Sequence, residues 1–356
     1  MSDPNQTAVA ASEGQEPPIH YARQVLTDMN ATFPGAWRMA DTARSTKKRL
    51  VGDQWPDWCF LPVNEAERIM ALTSNRDDPY ETWELVGVFS AMAAWRLTQG
   101  TYRIDQDVAN LLMATPLPKD SPTSFLYRLP QWCIFVETYH LGITFMGLPV
   151  QGFFTHLDRH EDGLDEARFL IVCENETYQI SLIISPERNI TNALAEIWRM
   201  PDESNISARA QRHDRIEANA FATKALGLLA FLCNHPEEVQ GRRREDGKEV
   251  IVSPANPTPK RTRNGWRLFA VRRHSRWVVG KRTGDALRNA WIIGAGADKR
   301  PSAAAWKKLE PAHWYESWIE PEGEDGERER VLRWQPPLPS NAQSIDDLPA
   351  IGKPTM

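Results

Sequence analysis

His156 and His160, with Asp158 between them and Glu161 and Asp162 following, come nearest in this chain to a metal-ligand set. Imidazole and carboxylate groups bind divalent ions, and a spacing of four would bring both imidazoles to one side of a helix. Their setting argues otherwise. The pair follows Gly152-Phe153-Phe154, which reads as strand, and runs into a turn at Gly163, so a solvated loop is expected. Gly294-Ala295-Gly296-Ala297 is a glycine-bearing turn without the Lys-Ser/Thr of a phosphate cradle. No Gly-x-Ser-x-Gly elbow occurs. The four cysteines, Cys59, Cys133, Cys173 and Cys233, lie far apart among apolar residues. Such a pattern predicts buried thiols in a reducing cytoplasm, with neither zinc pairs nor a disulfide framework. With 47 acidic residues in the chain, no spacing singles out a catalytic pair. No catalytic residue, metal or cofactor is expected.

Binding chemistry is more visible. Residues 242–308 hold 18 Lys and Arg and five Asp and Glu, against 24 and 42 in the remainder, so a net charge of −5 hides a basic block on an acidic body. That segregation attracts polyanions. Within the block, Arg272-Arg273-His274-Ser275-Arg276-Trp277 places cations around an aromatic, with Trp266, Arg267 and Phe269 just before. Guanidinium groups bind phosphate through a fork, and indole rings stack on unpaired bases. Arg267, Arg272, Arg273, Arg276 and Trp277 are therefore candidate RNA or ribosome contacts. Two rivals stand beside this: a basic solvent face with its tryptophans buried, and docking of the block on the protein's own acidic body. Arg242-Arg243-Arg244 reads as a solvated run. Trp132, Trp314, Trp318 and Trp334 are either core or anchors for a peptide.

The elements that must carry these residues predict an α+β fold with five parts. Residues 1–18 are polar, lack the apolar core of a signal peptide and should be disordered. A helical region covers 19–115, with helical periodicity at 19–30, 64–73 and Glu81–Gln99. An α+β core covers 116–241. Its strands are expected at Trp132–Val136, Phe169–Cys173 and Tyr178–Ile184, paired antiparallel because the links are short. Helices follow at Ile190–Trp198 and about 207–234. The apolar run Ala220–Cys233 is broken by Lys224 and reads as a buried helix, not a membrane span. A basic, Trp-rich C-terminal module covers 242–335. It should contain a strand pair, Trp266–Val271 with Arg276–Val279, and a terminal hairpin, His313–Ile319 with Arg330–Trp334. The Pro-rich tail, 336–356, should be disordered.

Four stretches, in order, resemble a known family. They are AAWRLTQGTYRIDQD (Ala93–Asp107), LPKDSPTSFLYRLPQWCIFVET (Leu117–Thr138), LLAFLCNHPE (Leu228–Glu237) and the closing pair HWYESWIEP and VLRWQPPLPSN. The second and the last are the most specific. Together they resemble the second-named family of type V-A anti-CRISPR proteins, inhibitors of the type V-A RNA-guided effector nuclease. The likeness spans residues 60–341 loosely. Two departures are plain: Glu310-Pro311-Ala312 stand where the family tends to have Arg-Arg before His-Trp, and residues 1–18 are additional.

The resemblance implies a non-enzymatic inhibitor acting in the bacterial cytoplasm. It would recognise the N-terminal peptide of the effector as it leaves the ribosome and bring about loss of the translated mRNA, with a host nuclease as a possible further partner and no membrane. The residues leave two alternatives open: a general RNA- or DNA-binding accessory protein of a plasmid or phage, and a metal-dependent ribonuclease. Tyr127, Arg128 and Gln131, polar residues just ahead of an apolar strand, are candidate peptide contacts. Trp314, Trp318 and Trp334 of the terminal hairpin are the others.

Overall fold

The computed structural model describes residues 18–50, 55–74, 85–160, 162–174, 176–196, 208–245, 248–263, 265–271, 274–295, 311–319 and 329–337. The two expected disordered tails lie outside these, apart from Pro18, Pro336 and Pro337.

The first half supplies helices α1 (Pro18–Thr32), α2 (Ala36–Leu50), α3 (Val63–Thr73), α4 (Val86–Trp95) and α5 (Gln106–Ala114). Strand β1 (Gly100–Ile104) interrupts them, within a region that the sequence pattern predicts to be mainly helical. Five strands follow, β2 (Cys133–Glu137), β3 (Thr144–Phe145), β4 (Leu148–Pro149), β5 (Gly152–Arg159) and β6 (Asp165–Val172), and then β7 (Thr177–Ile184). Helices α6 (Ile190–Ala195) and α7 (Ala208–Asn234) come next. The remainder is β8 (Val239–Glu245), β9 (Lys248–Val252), β10 (Lys260–Thr262), β11 (Gly265–Arg267), β12 (Ser275–Val279), α8 (Lys281–Ala295), β13 (His313–Ile319) and β14 (Glu329–Gln335).

One eight-stranded sheet runs β7-β6-β5-β2-β1-β12-β8-β9. Its β2-β5-β6-β7 half is the antiparallel ladder that the short links predict. In the other half β1 lies parallel to both β2 and β12. The expected pairing of Trp266–Val271 with Arg276–Val279 is therefore corrected: β11 pairs with β10, and β12 enters the main sheet. Short-range alternation cannot reveal such a partner, because β1 lies about 170 residues earlier in the chain.

Period-two alternation sorts the side chains onto two faces. Ile134, Val136, Phe153, Leu157, Phe169, Ile171, Ile180 and Leu182 meet α5 and α7 on one face. Cys133, Phe135, Phe154, Leu170 and Val172 meet α1–α4 on the other. α4 is apolar and small all round (VGVFSAMAAW) and is buried along its whole length, as a helix without a polar face must be. Arg215–Asn234 is long and apolar enough to cross a membrane, yet Phe221, Leu226 and Leu228–Cys233 within it are core residues of the first face.

Asp105 caps α5 by accepting from the backbone N–H groups of Asp107 and Val108, and Asn189 caps α6 in the same way. All four cysteines are buried free thiols. Burial pushes the Cys233 thiol up to about 12, so it remains protonated at neutral pH.

Candidate functional site

Three of the four stretches that carry the resemblance meet in space. Helix α7 ends at Asn234-His235-Pro236-Glu237, and this corner holds both the segment before β2 and the terminal hairpin. Arg128 donates to Asn234 Oδ1. Arg333 donates to Glu237 Oε1 at 2.8 Å. The backbone N–H of Trp334 donates to His235 Nε2 at 3.0 Å, which leaves Nδ1 facing Glu237 at 3.3 Å. Burial would raise the Glu237 carboxyl, but the hydrogen bond from His235 and the charge of Arg333 hold it down at about 2. The Trp334 ring meets Phe231 edge-on at 5.7 Å, and Phe231 stacks on His235 at 4.7 Å.

Around this corner the candidate peptide contacts divide. Tyr127 is half-buried, its hydroxyl donating to Asp165 Oδ2 at 2.7 Å and its ring 5.1 Å from Trp58. Burial and the Asp165 carboxylate both push its hydroxyl well above the usual tyrosine value. Arg128 is also half-buried. Gln131, read as an exposed-type residue, is buried: it accepts from the Tyr102 hydroxyl at 3.0 Å and donates to Ala255 O at 3.1 Å. Its carboxamide occupies the space that a Cβ at position 100 would need, which explains Gly100. Trp132 is buried beneath the Arg44 guanidinium, 4.7 Å from its ring centre. Trp314 and Trp334 belong to the core, with Trp314 Nε1 donating to Thr115 O at 3.3 Å. They fasten the hairpin and leave it free to present Trp318, 62% exposed, and Tyr315, 43% exposed.

The candidate RNA contacts divide as well. Arg272 and Arg273 lie outside the described residues. Trp277 is buried, stacked on Tyr102 with ring centres 6.3 Å apart, so its faces are closed to a base. Gly241 on β8 leaves the room its ring occupies. Arg267 is half-buried near Asp41, whose carboxyl burial raises above its usual value against the opposing charges of Arg96 and Arg267. Arg276 is exposed and pairs with the buried Glu137 at 3.1 Å. Two further arginines of the block dock on acids from earlier in the chain: Arg288 on Asp105 at 2.9 Å and Asp107 at 2.7 Å, and Arg282 on Glu238 at 3.2 Å.

His156 and Asp158 are not in a solvated loop. Both lie within β5 and are buried, because α4 and the N-terminal segments cover this part of the sheet. His156 lies 3.3 Å from Asp158, which also takes Arg168 at 2.9 Å. Burial would raise the Asp158 carboxyl, but His156 and Arg168 overcome it and hold the pKa below its usual value. Among the described residues no group of three or more His, Cys, Asp or Glu is placed to hold a metal ion.

Asn234, His235, Glu237 and Arg333 are visible in sequence only as parts of motifs. Their role as a joint cannot be read from spacing, since Arg333 is about 100 residues from its partners.

The molecule is thus an α+β protein in which three of the family-like stretches are joined at one corner. A family model for the anti-CRISPR type V subtype A2 family, AcrVA2-like, matches residues 102–342, and the chain belongs to that family. No curated protein is matched by the sequence. Among solved structures, a crystal structure of AcrVA2 shares the fold, with a TM-score of 0.61 and 20% identity over 90% of this chain and 99% of that one. An inhibitory role against a type V-A effector system follows from the family.

Proposed function

We propose that the protein recognises the N-terminal peptide of the type V-A effector during its synthesis and causes loss of the message being translated, without itself cutting RNA. Family membership over residues 102–342 carries this reading. The geometry supports a recognition surface that runs from Trp58 and Tyr127, through Arg128, Asn234 and Glu237, to Arg333 and the exposed Tyr315 opposite it, with the exposed Trp318 on the other face of the hairpin. An extended peptide would find aromatic anchors at both ends and a polar centre between them.

A fusion reporter tests it. The effector's first codons are placed ahead of a fluorescent protein and co-expressed with this protein. Reporter mRNA and fluorescence should both fall. A control carries nearly the same RNA shifted by one frame at each end of the insert, so that it encodes another peptide, and it should be spared. An equal fall of the shifted reporter would show that nucleotide sequence is read instead. The pure protein, incubated with RNA and Mg²⁺ or Mn²⁺, should leave the RNA intact.

A further inference from the structure

The face of the sheet that turns away from α7 is open where β1 and β12 meet. Val278 is 36% exposed although β12 has a strand on either side. Arg276 and Arg103 stand on this same face, since Arg276 is opposite Thr101 in the parallel register and Arg103 is two residues further on. The Arg103 guanidinium carbon lies 5.4 Å from the centre of the Tyr139 ring, and Arg103 donates to the Tyr139 hydroxyl at 2.9 Å. From α1, the exposed Arg23 reaches His274 Nδ1 at 3.2 Å and Gln99 Oε1 at 3.4 Å. Glu137, buried and paired with Arg276, is the acid of this floor.

The charges do not balance. Arg276 has Glu137, but the partners of Arg23 and Arg103 among the described residues are neutral or imidazole groups. Two histidines register the excess. Burial, with Arg103 and Arg276, pushes His140 down to about 4. Burial, with Arg23 and Arg276, also lowers His274. Asp105, which acts on His140 in the opposite sense, is already held by Arg288.

We infer that the floor formed by Arg23, Arg103 and Arg276 seats the phosphate backbone of single-stranded RNA. Guanidinium forks match phosphate oxygens, and an open sheet face accommodates an extended strand. Aromatic groups favour RNA over an acidic peptide. The Tyr139 ring lies beside Arg103, and Phe269, 53% exposed, stands two residues before Val271, whose carbonyl accepts from Gln99 at 3.2 Å. Such rings give unpaired bases a surface to stack on. This assignment goes beyond the proposed function, and its test uses no effector sequence, so either can fail alone.

The test measures binding of a fluorescein-labelled uridylate 12-mer to the full-length protein by anisotropy over a salt series. Arg23→Gln with Arg103→Gln breaks no ion pair among the described residues and should leave the melting temperature unchanged. Affinity at low salt should fall at least about tenfold. The slope of log K against log salt should shrink by about 0.7 for each phosphate of the single strand that is no longer neutralised. Arg276→Gln with Glu137→Gln removes a pair together and should also weaken binding, which gives a second folded variant. Parental affinity and slope in both folded variants would overturn the proposal. A 12-residue polyglutamate should compete at least about tenfold more weakly than unlabelled RNA. Equal competition would reassign the floor to acidic peptides.

Discussion

The two faces of the central sheet are built from the same strands and do different things. Toward α5 and α7 the side chains form a largely apolar layer, from Ile134 and Val136 through Phe153 and Phe169 to Leu182, with Thr155 as a buried polar exception. Toward α1–α4 the apolar set Phe135, Phe154 and Leu170 shares its layer with His156, Asp158 and Arg168, and further along with Glu137, Arg103 and Arg276. An apolar face needs only shape and area. A face carrying charge needs a partner for every buried group, since an unpaired buried ion costs several kcal/mol. The first face therefore supplies cohesion, and the second has room for specificity where its charges reach the surface.

The sharpest way to break that contrast is on the apolar face. Phe153→Ala removes a fully buried ring packed against Phe221 and Phe169. It should cost about 3–5 kcal/mol in denaturant unfolding. A loss below about 1 kcal/mol would mean that this layer is not the main source of cohesion.

On the other face, Asp158→Asn keeps the shape and removes the charge that pairs with Arg168 and faces His156. A loss of about 3 kcal/mol at pH 7 is expected for one broken member of a buried set. Its pH signature is distinctive. Asp158 and Glu166 both have carboxyls held below their usual values, so their contribution is full above about pH 4 and is lost as pH falls through the lower, folded values. The variant should lose less stability than the parent between pH 5 and pH 2, both ends being about the limits of that titration. His160 has the opposite sign. Its hydrogen bond with Glu166 raises its pKa, so its contribution is full below about pH 6.5 and is lost as pH rises through the raised value. Acid unfolding curves of equal steepness in parent and Asp158→Asn would show that this cluster does not govern the acid limb.

Arg288→Ala lies nearer the surface, where screening reduces ion pairs to about 0–1 kcal/mol each. Asp105 keeps its capping role without it, so the expected loss is about 1 kcal/mol and should shrink in high salt.

Trp318→Ala should be the smallest in stability, within about 0.5 kcal/mol, because the ring is largely exposed. Its effect should appear in the reporter assay as weaker loss of the effector message. A variant with full activity would move recognition to the Tyr127 end of the surface.

Much of the architecture is legible from local pattern. Alternation at Tyr178–Ile184 marks β7, the apolar run at 132–136 marks β2, and the final hairpin agrees with its sequence pattern within a residue or two at each end. The apolar run marks Trp132 as the lead-in to a strand, one residue ahead of β2, but does not show that its ring lies under Arg44. The His156 segment reads wrongly as a loop because a period-two signal is weak when both faces are buried. Thr155, His156 and Asp158 look polar in sequence yet are buried within β5.

The sequence by itself determined the class of fold, the separation of a basic block from an acidic body, and the four motif stretches that mark the family. Those properties are local, carried by periodicity, composition and short strings of residues. Only the tertiary structure decided which charges are spent on folding and which remain for a partner. Arg288, Arg282 and Arg276 are paired with acids near 105, 238 and 137, whereas Arg103, set beside Arg276 by a parallel strand pairing across about 175 residues, has no acidic partner among the described residues. Coulomb energy depends on distance in space, and no spacing along the chain records it.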